Sequence, residues 1–226
     1  DSDTLFVSYS NMLKTAEGMK PLHKLLMLDG TTLALKGEVK DAYKGTAYGL
    51  TMDEKTQKIY VGGRDYINEI DAKNQTLLRT IPLKDPRPQI TSVAVDSASD
   101  RAFVVVFDHD DRSGTKDGLY IFDLRDGKQL GYVHTGAGAN AVKYNPKYNE
   151  LYVTNFTSGT ISVVDATKYS ITREFNMPVY PNQMVLSDDM DTLYIGIKEG
   201  FNRDWDPDVF VEGAKERILS IDLKKS

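Results

Sequence analysis

Three histidines are the residues of this chain best suited to metal binding or acid–base chemistry, and they lie far apart. His23, His109 and His134 never form an H-x-H or H-E-x-x-H pair, the spacings that bring two imidazoles to one metal ion. Solvated loop histidines are the favoured interpretation, and a site assembled from distant segments stays open. The chain has no cysteine, which excludes disulfides, thiolate chemistry and cysteine-based zinc sites.

Two acidic segments have the oxygen ligands that a hard cation prefers. Asp108 to Gly114 has the acidic density of a calcium loop, but Arg112 and Leu119 occupy the fifth and twelfth positions of the EF-hand pattern. The second segment alternates carboxylates around Trp205, with Asp204, Asp206 and Asp208. Turn-forming aspartates in solvated loops explain both segments, so no metal site is predicted.

No motif for catalysis or cofactor binding survives inspection. Gly136 to Ala141 imitates the G-x-G-x-x-A dinucleotide fingerprint, but that motif needs a following helix, and Val142 to Pro146 predicts a strand and a turn. The chain has no G-x-S-x-G elbow and no Walker loop. We therefore predict no catalytic residue and no cofactor.

Composition limits the remaining classes of function. Of the 226 residues 40% are apolar, enough for a sizeable core, and the net charge of −5 argues against a surface that attracts nucleic acid everywhere. The longest apolar run, Ala102 to Phe107, is far below the roughly 18 residues that span a bilayer. The chain opens Asp1-Ser2-Asp3 without an initiator methionine, so we expect a processed or truncated product.

A four-strand unit repeats along the chain. Alternating apolar residues, a polar turn and a second β-rich run recur at Tyr48–Val61, Thr91–Val104, Asn140–Asn155 and Asn182–Ile195. A third run ends each unit in an aspartate: Asp29, Asp71, Asp123, Asp165 and Asp222. Their recurrence at the repeat period indicates turn capping and not a unique acid–base pair. A fourth run follows the internal units, as at Leu77–Ile81.

The period identifies the fold. An aromatic residue in the second strand (Tyr60, Phe103, Tyr152, Tyr194) recurs at intervals of 43, 49 and 42 residues. Four strands per repeat of this length predict an all-β fold, a β-propeller of four-stranded antiparallel blades, with the whole chain as one propeller domain. A large β-sandwich is the alternative, but it would not explain the period.

The repeats resemble the YVTN-repeat family, and most of all its YncE-like bacterial propellers. Leu151 to Asn155 matches the name-giving motif and is followed by Thr160 to Asp165; Pro181 to Ser187 and Leu193 to Ile195 match the next copy. The likeness is best from about Ala47 to Lys198. The resemblance implies a seven-bladed ring closed by an N-terminal strand, and a periplasmic location.

Counting strands predicts about 18 in five blades, two of them incomplete. Leu5–Ser8 reads as a second strand, so the first blade lacks its innermost strand, and the last blade stops after its third strand, Arg217–Asp222. We expect about two blades and the closing strand of a seven-bladed ring to be absent from this chain, which makes the domain N-terminally incomplete.

Binding is expected on the side of the propeller that carries the longest loops. The loops between second and third strands, including Asn11–Lys24, should share a face with the connectors between blades. The candidate binding residues on this face and at the channel mouth are Tyr48, Arg64, Arg87, Thr91, Asn140, Phe156, Tyr180, Asn182 and Trp205. For each of them, loop solvation, packing or contact with neighbouring backbone is the alternative role.

The predicted function is a non-enzymatic binding or scaffold propeller of the bacterial cell envelope. Aromatic residues interleaved with arginine suit a peptide or protein partner, and also single-stranded nucleic acid. The alternative is a metal-dependent hydrolase or lactonase with a cation in the channel, which would need carboxylates, Asn or His converging there; the candidates supply Asn but no channel carboxylate. A purely structural envelope repeat protein is a third possibility.

Overall fold

The computed structural model describes residues 3–43, 49–83, 90–107, 115–177, 180–198 and 216–224. Within these ranges 18 strands form five antiparallel sheets, and the only helix is a short 3₁₀ turn at Ser97–Ser99. Each sheet is a hydrogen-bonded meander in chain order, the arrangement of a propeller blade. The predicted all-β propeller with five blades is confirmed.

Three blades have four strands, which we name inner, second, third and outer in chain order. The second blade contains β4 (Gly49–Asp53), β5 (Lys58–Gly62), β6 (Tyr66–Asp71) and β7 (Thr76–Pro82). The third contains β8 (Ile90–Asp96), β9 (Arg101–Val106), β10 (Gly118–Asp123) and β11 (Gln129–Val133). The fourth contains β12 (Ala139–Asn145), β13 (Glu150–Asn155), β14 (Thr160–Asp165) and β15 (Ser170–Asn176).

The first and last blades have three described strands each. The first contains β1 (Thr4–Thr15), β2 (Gly18–Asp29) and β3 (Leu35–Val39), and the last contains β16 (Pro181–Leu186), β17 (Thr192–Ile197) and β18 (Arg217–Asp222). Among the described residues the first blade has no inner strand and the last has no outer strand, as the strand count predicts. A parent ring of seven blades stays a prediction.

Buried apolar side chains join each blade to the next. Separate core clusters lie between successive blades, for example Leu25 with Ile59, Tyr60 with Val104, Phe103 with Leu151, and Tyr152 with Ile195. The free faces of the two end blades are apolar too, since Leu35 and Ile218 are 66% and 75% exposed. The alternating pattern thus places apolar side chains on both faces of a blade, and apolar clusters fill the interfaces between neighbouring described blades.

Recurring aspartates cap the turn after each third strand. The carboxylate of Asp165 accepts hydrogen bonds from the backbone N–H groups of Thr167 and Lys168, at 2.8 and 2.9 Å. Asp29, Asp71, Asp123 and Asp222 accept equivalent backbone bonds. The turn-capping role predicted from the repeat is confirmed, and these carboxylates are committed to backbone donors.

Candidate functional site

Loops between second and third strands share one face of the propeller with the connectors between blades. The Leu83 N–H donates to the Asp65 carbonyl at 2.9 Å, and the Phe156 N–H donates to the Gly138 carbonyl at 2.7 Å. His134 Nδ1 lies 3.0 Å from the Asp117 carbonyl oxygen. Each contact joins such a loop to a connector, as predicted, and we call this side the loop face. The opposite side, with the turns between inner and second strands, is the turn face.

The two paired strands at the start of the chain are longer than any other strands that the structure describes, and their extra length lies on the loop face. The segment Asn11–Lys24, expected to be a loop, is instead strand: β1 and β2 pair continuously from Thr4 with Asp29 to Thr15 with Gly18. The equivalent strands β5 and β6 have 5 and 6 residues, against 12 and 12 here. The expectation was wrong because Asn11, Gly18 and Pro21 are poor strand formers, and continuous cross-strand pairing overrides that local preference.

Residues 9–24, which we call the hairpin extension, carry exposed apolar side chains. Met12, Leu13 and Met19 are 51%, 46% and 57% exposed. Three lysines and one glutamate give the extension a net charge of +2 in a chain of net charge −5. The sequence Ala16-Glu17-Gly18 could have indicated a hairpin turn at this point, since Gly18 takes a φ of +117° that glycine adopts readily.

Three predicted channel residues occupy equivalent positions in the structure. The pairing between inner and second strands is interrupted by a β-bulge at Thr91, at Asn140 and at Asn182. A bulge redirects the side chain of the extra residue. Asn140 Nδ2 donates to Asn182 Oδ1 of the next blade at 2.6 Å, and Thr91 Oγ1 lies 3.4 Å from the Ala139 carbonyl of the next blade. These side chains therefore link neighbouring inner strands.

Of the other six predicted binding residues, the structure describes three. Phe156 and Tyr180 stack with ring centroids 4.9 Å apart and 24° between their planes, and Tyr180 is buried. Arg64 is exposed in the turn between β5 and β6. Tyr48, Arg87 and Trp205 lie outside the described residues, as do His109 and the two acidic segments. The structure thus brings together one amide pair and one aromatic pair, and the binding role of all nine residues stays a prediction.

Asn155 fixes the connector into the fourth blade. Its side chain is fully buried, and Nδ2 lies 3.1 Å from the Thr135 carbonyl and 3.0 Å from both Thr160 Oγ1 and Ser162 Oγ. Ser162 Oγ donates to the same carbonyl at 2.9 Å. In the second blade, buried Asn68 donates to the Ala42 carbonyl at 2.8 Å. Sequence reasoning singled out the motif at 151–155 but not this role.

A carboxylate with three donors lies on the turn face. Asp191 accepts hydrogen bonds from Lys147 Nζ at 2.5 Å, Lys224 Nζ at 2.8 Å and the Tyr148 hydroxyl at 2.5 Å. The hydrogen bond from Lys147, followed by those from Lys224 and Tyr148, holds the pKa of Asp191 well below its usual range. Since Lys147 and Asp191 belong to the fourth and fifth blades, this cluster links two blades.

The second blade contains a buried carboxylate paired with two partly exposed cations, which we call the ion triad. Glu69 is 3% exposed and contacts Lys58 Nζ at 2.5 Å and Arg79 at 2.7 Å. Burial alone would raise the pKa of Glu69, but the hydrogen bonds from Lys58 and Arg79 outweigh it and lower the pKa. The carboxylate is thus stabilised as an anion by two fixed partners, and its lowered pKa is the opposite of what a general acid needs.

A groove lies among the described strands of the last blade. It encloses about 220 Å³ and is lined by Asn182, Gln183, Gly196–Lys198 and Glu216–Ile218. Gly196 leaves the floor of the groove open, because a side chain there would project beside the Gln183 carbonyl. The groove therefore adjoins Asn182, one of the bulged residues.

The described ranges contain no group of three His, Asp or Glu side chains placed to hold a metal ion. Residues 108–114 and 199–215, which include both acidic segments, lie outside those ranges. Among the residues with described structure, no helix has the length and hydropathy needed to cross a membrane.

Comparison with known proteins identifies relatives. No family model matches the chain. It is 34% identical over 181 residues to the uncharacterized protein YncE of Salmonella typhi, covering 79% of this chain and 49% of the relative. It is 31% identical over 176 residues to YncE of Escherichia coli K12, covering 76% and 47%. The chain thus spans about half the length of the curated relatives it matches.

Solved structures show the same fold at low identity. Hydrazine synthase of Kuenenia stuttgartiensis superposes with a TM-score of 0.64 at 14% identity, over 89% of this chain and 57% of the other. The Cps50 (Swd1) β-propeller domain of Myceliophteria thermophila superposes with a TM-score of 0.60 at 10% identity, over 88% and 65%. At these identities the likeness concerns the fold alone. By sequence this chain is related to the YncE proteins, and by structure it is a β-propeller.

Proposed function

We propose that this chain is a non-enzymatic binding propeller of the bacterial cell envelope that recognises a peptide or protein partner on its loop face. The observation that carries the proposal is the hairpin extension, a feature that the second to fourth blades lack in the described structure. A periplasmic location is part of the proposal and follows from the resemblance to YncE-like proteins.

The chemistry of the hairpin extension suits contact with another polypeptide. Exposed methionine and leucine side chains lose water when a partner covers them, and the flexible thioethers adapt to irregular surfaces. Lys14 and Lys20, which lie beside these side chains, suit a partner surface that includes carboxylates. Continuous pairing between β1 and β2 holds the extension in one conformation, which reduces the entropy lost on binding.

The predicted binding residues would extend the contact surface from the hairpin toward the channel. The half-buried Phe156, which stacks on the buried Tyr180, would provide an aromatic contact in the connector region, and Arg64 is exposed in the loop of the second blade. Aromatic residues and arginine provide much of the affinity at protein interfaces. The Asn140–Asn182 amide pair would have to open to bind a ligand, which makes these two residues weaker candidates.

The test is to select peptides from a displayed random library on the wild-type chain and to measure their affinities for two variants. The hairpin variant replaces Met12, Leu13 and Met19 with serine. The matched control replaces three exposed apolar residues of the outer strands, Leu78, Leu130 and Ile171. We expect about a tenfold or greater loss of affinity in the hairpin variant and less than about twofold in the control. Equal losses in both variants would refute the proposal.

Single-stranded nucleic acid is the competing ligand, and salt dependence separates it from a peptide. An oligothymidine probe whose affinity falls steeply from low to moderate salt would favour nucleic acid, since binding would release condensed counterions. A peptide held mainly by apolar contacts should bind with a nearly constant affinity over the same range of salt.

A further inference from the structure

The seven methionines of this chain differ widely in exposure. Met12 and Met19, both in the hairpin extension, are the two most exposed, at 51% and 57%. Met27 and Met184 belong to core clusters and are 5% exposed each. The chain has no cysteine, so the thioether sulfur of methionine is its most readily oxidised side-chain group. The hairpin extension thus carries the thioethers that an oxidant in solution reaches first.

Both exposed thioethers lie on the side of the hairpin extension that faces the second blade. Phe6 of β1 and Leu25 of β2 pack in one apolar cluster with Ile59 of that blade. Met12 is six residues from Phe6, and Met19 is six residues from Leu25. Side chains alternate along a strand, and β1 pairs with β2 without a bulge, so these even separations place all four on one side of the hairpin. The neighbouring blade on that side is present, and the two methionines stay exposed beside it.

Met12 and Met19 are diagonal neighbours across the strand pair. Lys14 pairs with Met19, and Met12 lies two residues before Lys14 on the same side. Residues in this relation are about 7–8 Å apart, within the reach of long side chains. One side chain of a partner therefore contacts both thioethers, and a chemical change at either sulfur alters the same contact.

We propose that Met12 and Met19 are oxidised selectively to methionine sulfoxide by hydrogen peroxide, and that this oxidation releases the partner from the loop face. The inference rests on the proposed function, because the hairpin extension is the surface that the partner covers there. A sulfoxide is polar and hydrated, so its burial against an apolar partner surface costs free energy that burial of the thioether does not.

The oxidation balances without any group from the protein other than the sulfur. A sulfur lone pair attacks one oxygen of hydrogen peroxide, the O–O bond breaks, and the second oxygen leaves as water. The sulfur loses two electrons and the peroxide gains them. Methionine sulfoxide reductases reverse the change with a dithiol, which becomes a disulfide while the sulfoxide oxygen leaves as water.

The first part of the test measures selectivity and needs no partner. The wild-type chain is treated with hydrogen peroxide for increasing times, and each methionine is followed by peptide-mapping mass spectrometry. We expect Met12 and Met19 to oxidise about tenfold or more faster than Met27 and Met184, because access to the sulfur controls the rate. Similar rates at all four residues would overturn the proposal.

The second part compares peptide affinity before and after peroxide treatment, with a peptide selected on the wild-type chain. We expect oxidation of the wild-type chain to lower the affinity by about fivefold or more, and the sulfoxide reductases to restore it. A variant with Met12→Leu and Met19→Leu has no thioether on the hairpin extension, so its affinity should be the same before and after treatment. The control Met52→Leu, which removes a methionine of β4 that is 38% exposed, should respond as the wild-type chain does.

Three results of the second part would overturn the proposal. An unchanged affinity after oxidation, for a peptide that the serine variant of the hairpin extension no longer binds, would refute the release and leave the proposed function in place. An equal loss in the leucine variant would assign the sensitivity to another residue. Selected peptides that bind the serine variant as tightly as the wild-type chain would refute the proposed function and the release together.

Discussion

Replacing Asn155 with alanine should destabilise the fourth blade and release the connector before it. The side chain is fully buried, with its amide nitrogen within 3.1 Å of three oxygen atoms. A carboxamide has only two N–H hydrogens, so about two of these contacts act as hydrogen bonds at any moment. The Thr135 carbonyl keeps its bond from Ser162 Oγ, which limits the loss.

The size of the destabilisation by Asn155→Ala follows from those contacts. Two hydrogen bonds contribute about 1 kcal/mol each, and the cavity left by the carboxamide adds about 1 kcal/mol. We therefore expect the free energy of unfolding to fall by about 3 kcal/mol, equivalent to a decrease in Tm of about 6–12 °C for a chain of this size. That is a large fraction of the roughly 5–15 kcal/mol that stabilises a typical domain.

Urea denaturation, monitored by far-ultraviolet circular dichroism, measures the decrease in the free energy of unfolding. The matched control is Asn176→Ala, which removes an exposed carboxamide from the outer strand of the same blade. Hydrogen exchange should also accelerate at 135–138 in Asn155→Ala and not in the control. Equal unfolding midpoints for the two variants would refute the assignment of Asn155 to the connector.

Three further predictions concern the backbone, the ion triad and acid stability. Gly138→Ala should lower the Tm more than Gly159→Ala, because both have positive φ (+72° and +67°) but only at Gly138 would a Cβ meet Thr157 Oγ1 at 2.4 Å; equal Tm values would contradict this. Glu69→Gln should lower the free energy of unfolding, measured by urea denaturation, by about 1–2 kcal/mol, because it leaves Lys58 and Arg79 without a balancing negative charge. The control Glu54→Gln, at an exposed position, should leave the free energy of unfolding nearly unchanged; equal losses in the two variants would refute the role of the triad. The hydrogen bond from Arg125 lowers the pKa of Asp123 to about 2, below its value of about 3.9 in the unfolded chain. Ionised Asp123 therefore stabilises the fold fully above about pH 3.9, and this stabilisation disappears as the pH falls toward 2; an equal urea midpoint at pH 2.5 and pH 7 would contradict it.

Strand order and turn caps could be predicted from the sequence because their signals are local. The alternating runs around Tyr152 and Tyr194, and the aspartates that end each third strand, depend on residues within a few positions of one another. Asp165, for example, accepts the N–H groups two and three residues later, and Asp123 and Asp222 accept the N–H group two residues later, so each cap can be recognised without knowledge of the tertiary structure.

The features that the sequence did not predict depend on contacts between distant segments. The bulges at Asn140 and Asn182 direct two side chains of different blades toward each other, and neither segment alone indicates that direction. Asn155 reaches the carbonyl of Thr135, 20 residues earlier, so its role requires the packed connector. The hairpin extension was mistaken for a loop because only the pairing of β1 with β2 compensates for its weak strand propensity.

Binding on the loop face is the central claim, and hydrogen exchange of the chain with a bound selected peptide tests it most directly. We predict slower exchange in the hairpin extension and in the loops and connectors of the loop face, including Gly63–Asp65 and Thr135–Gly138. Slower exchange confined to the turn face, at Glu54–Gln57 and Pro146–Asn149, would contradict the account.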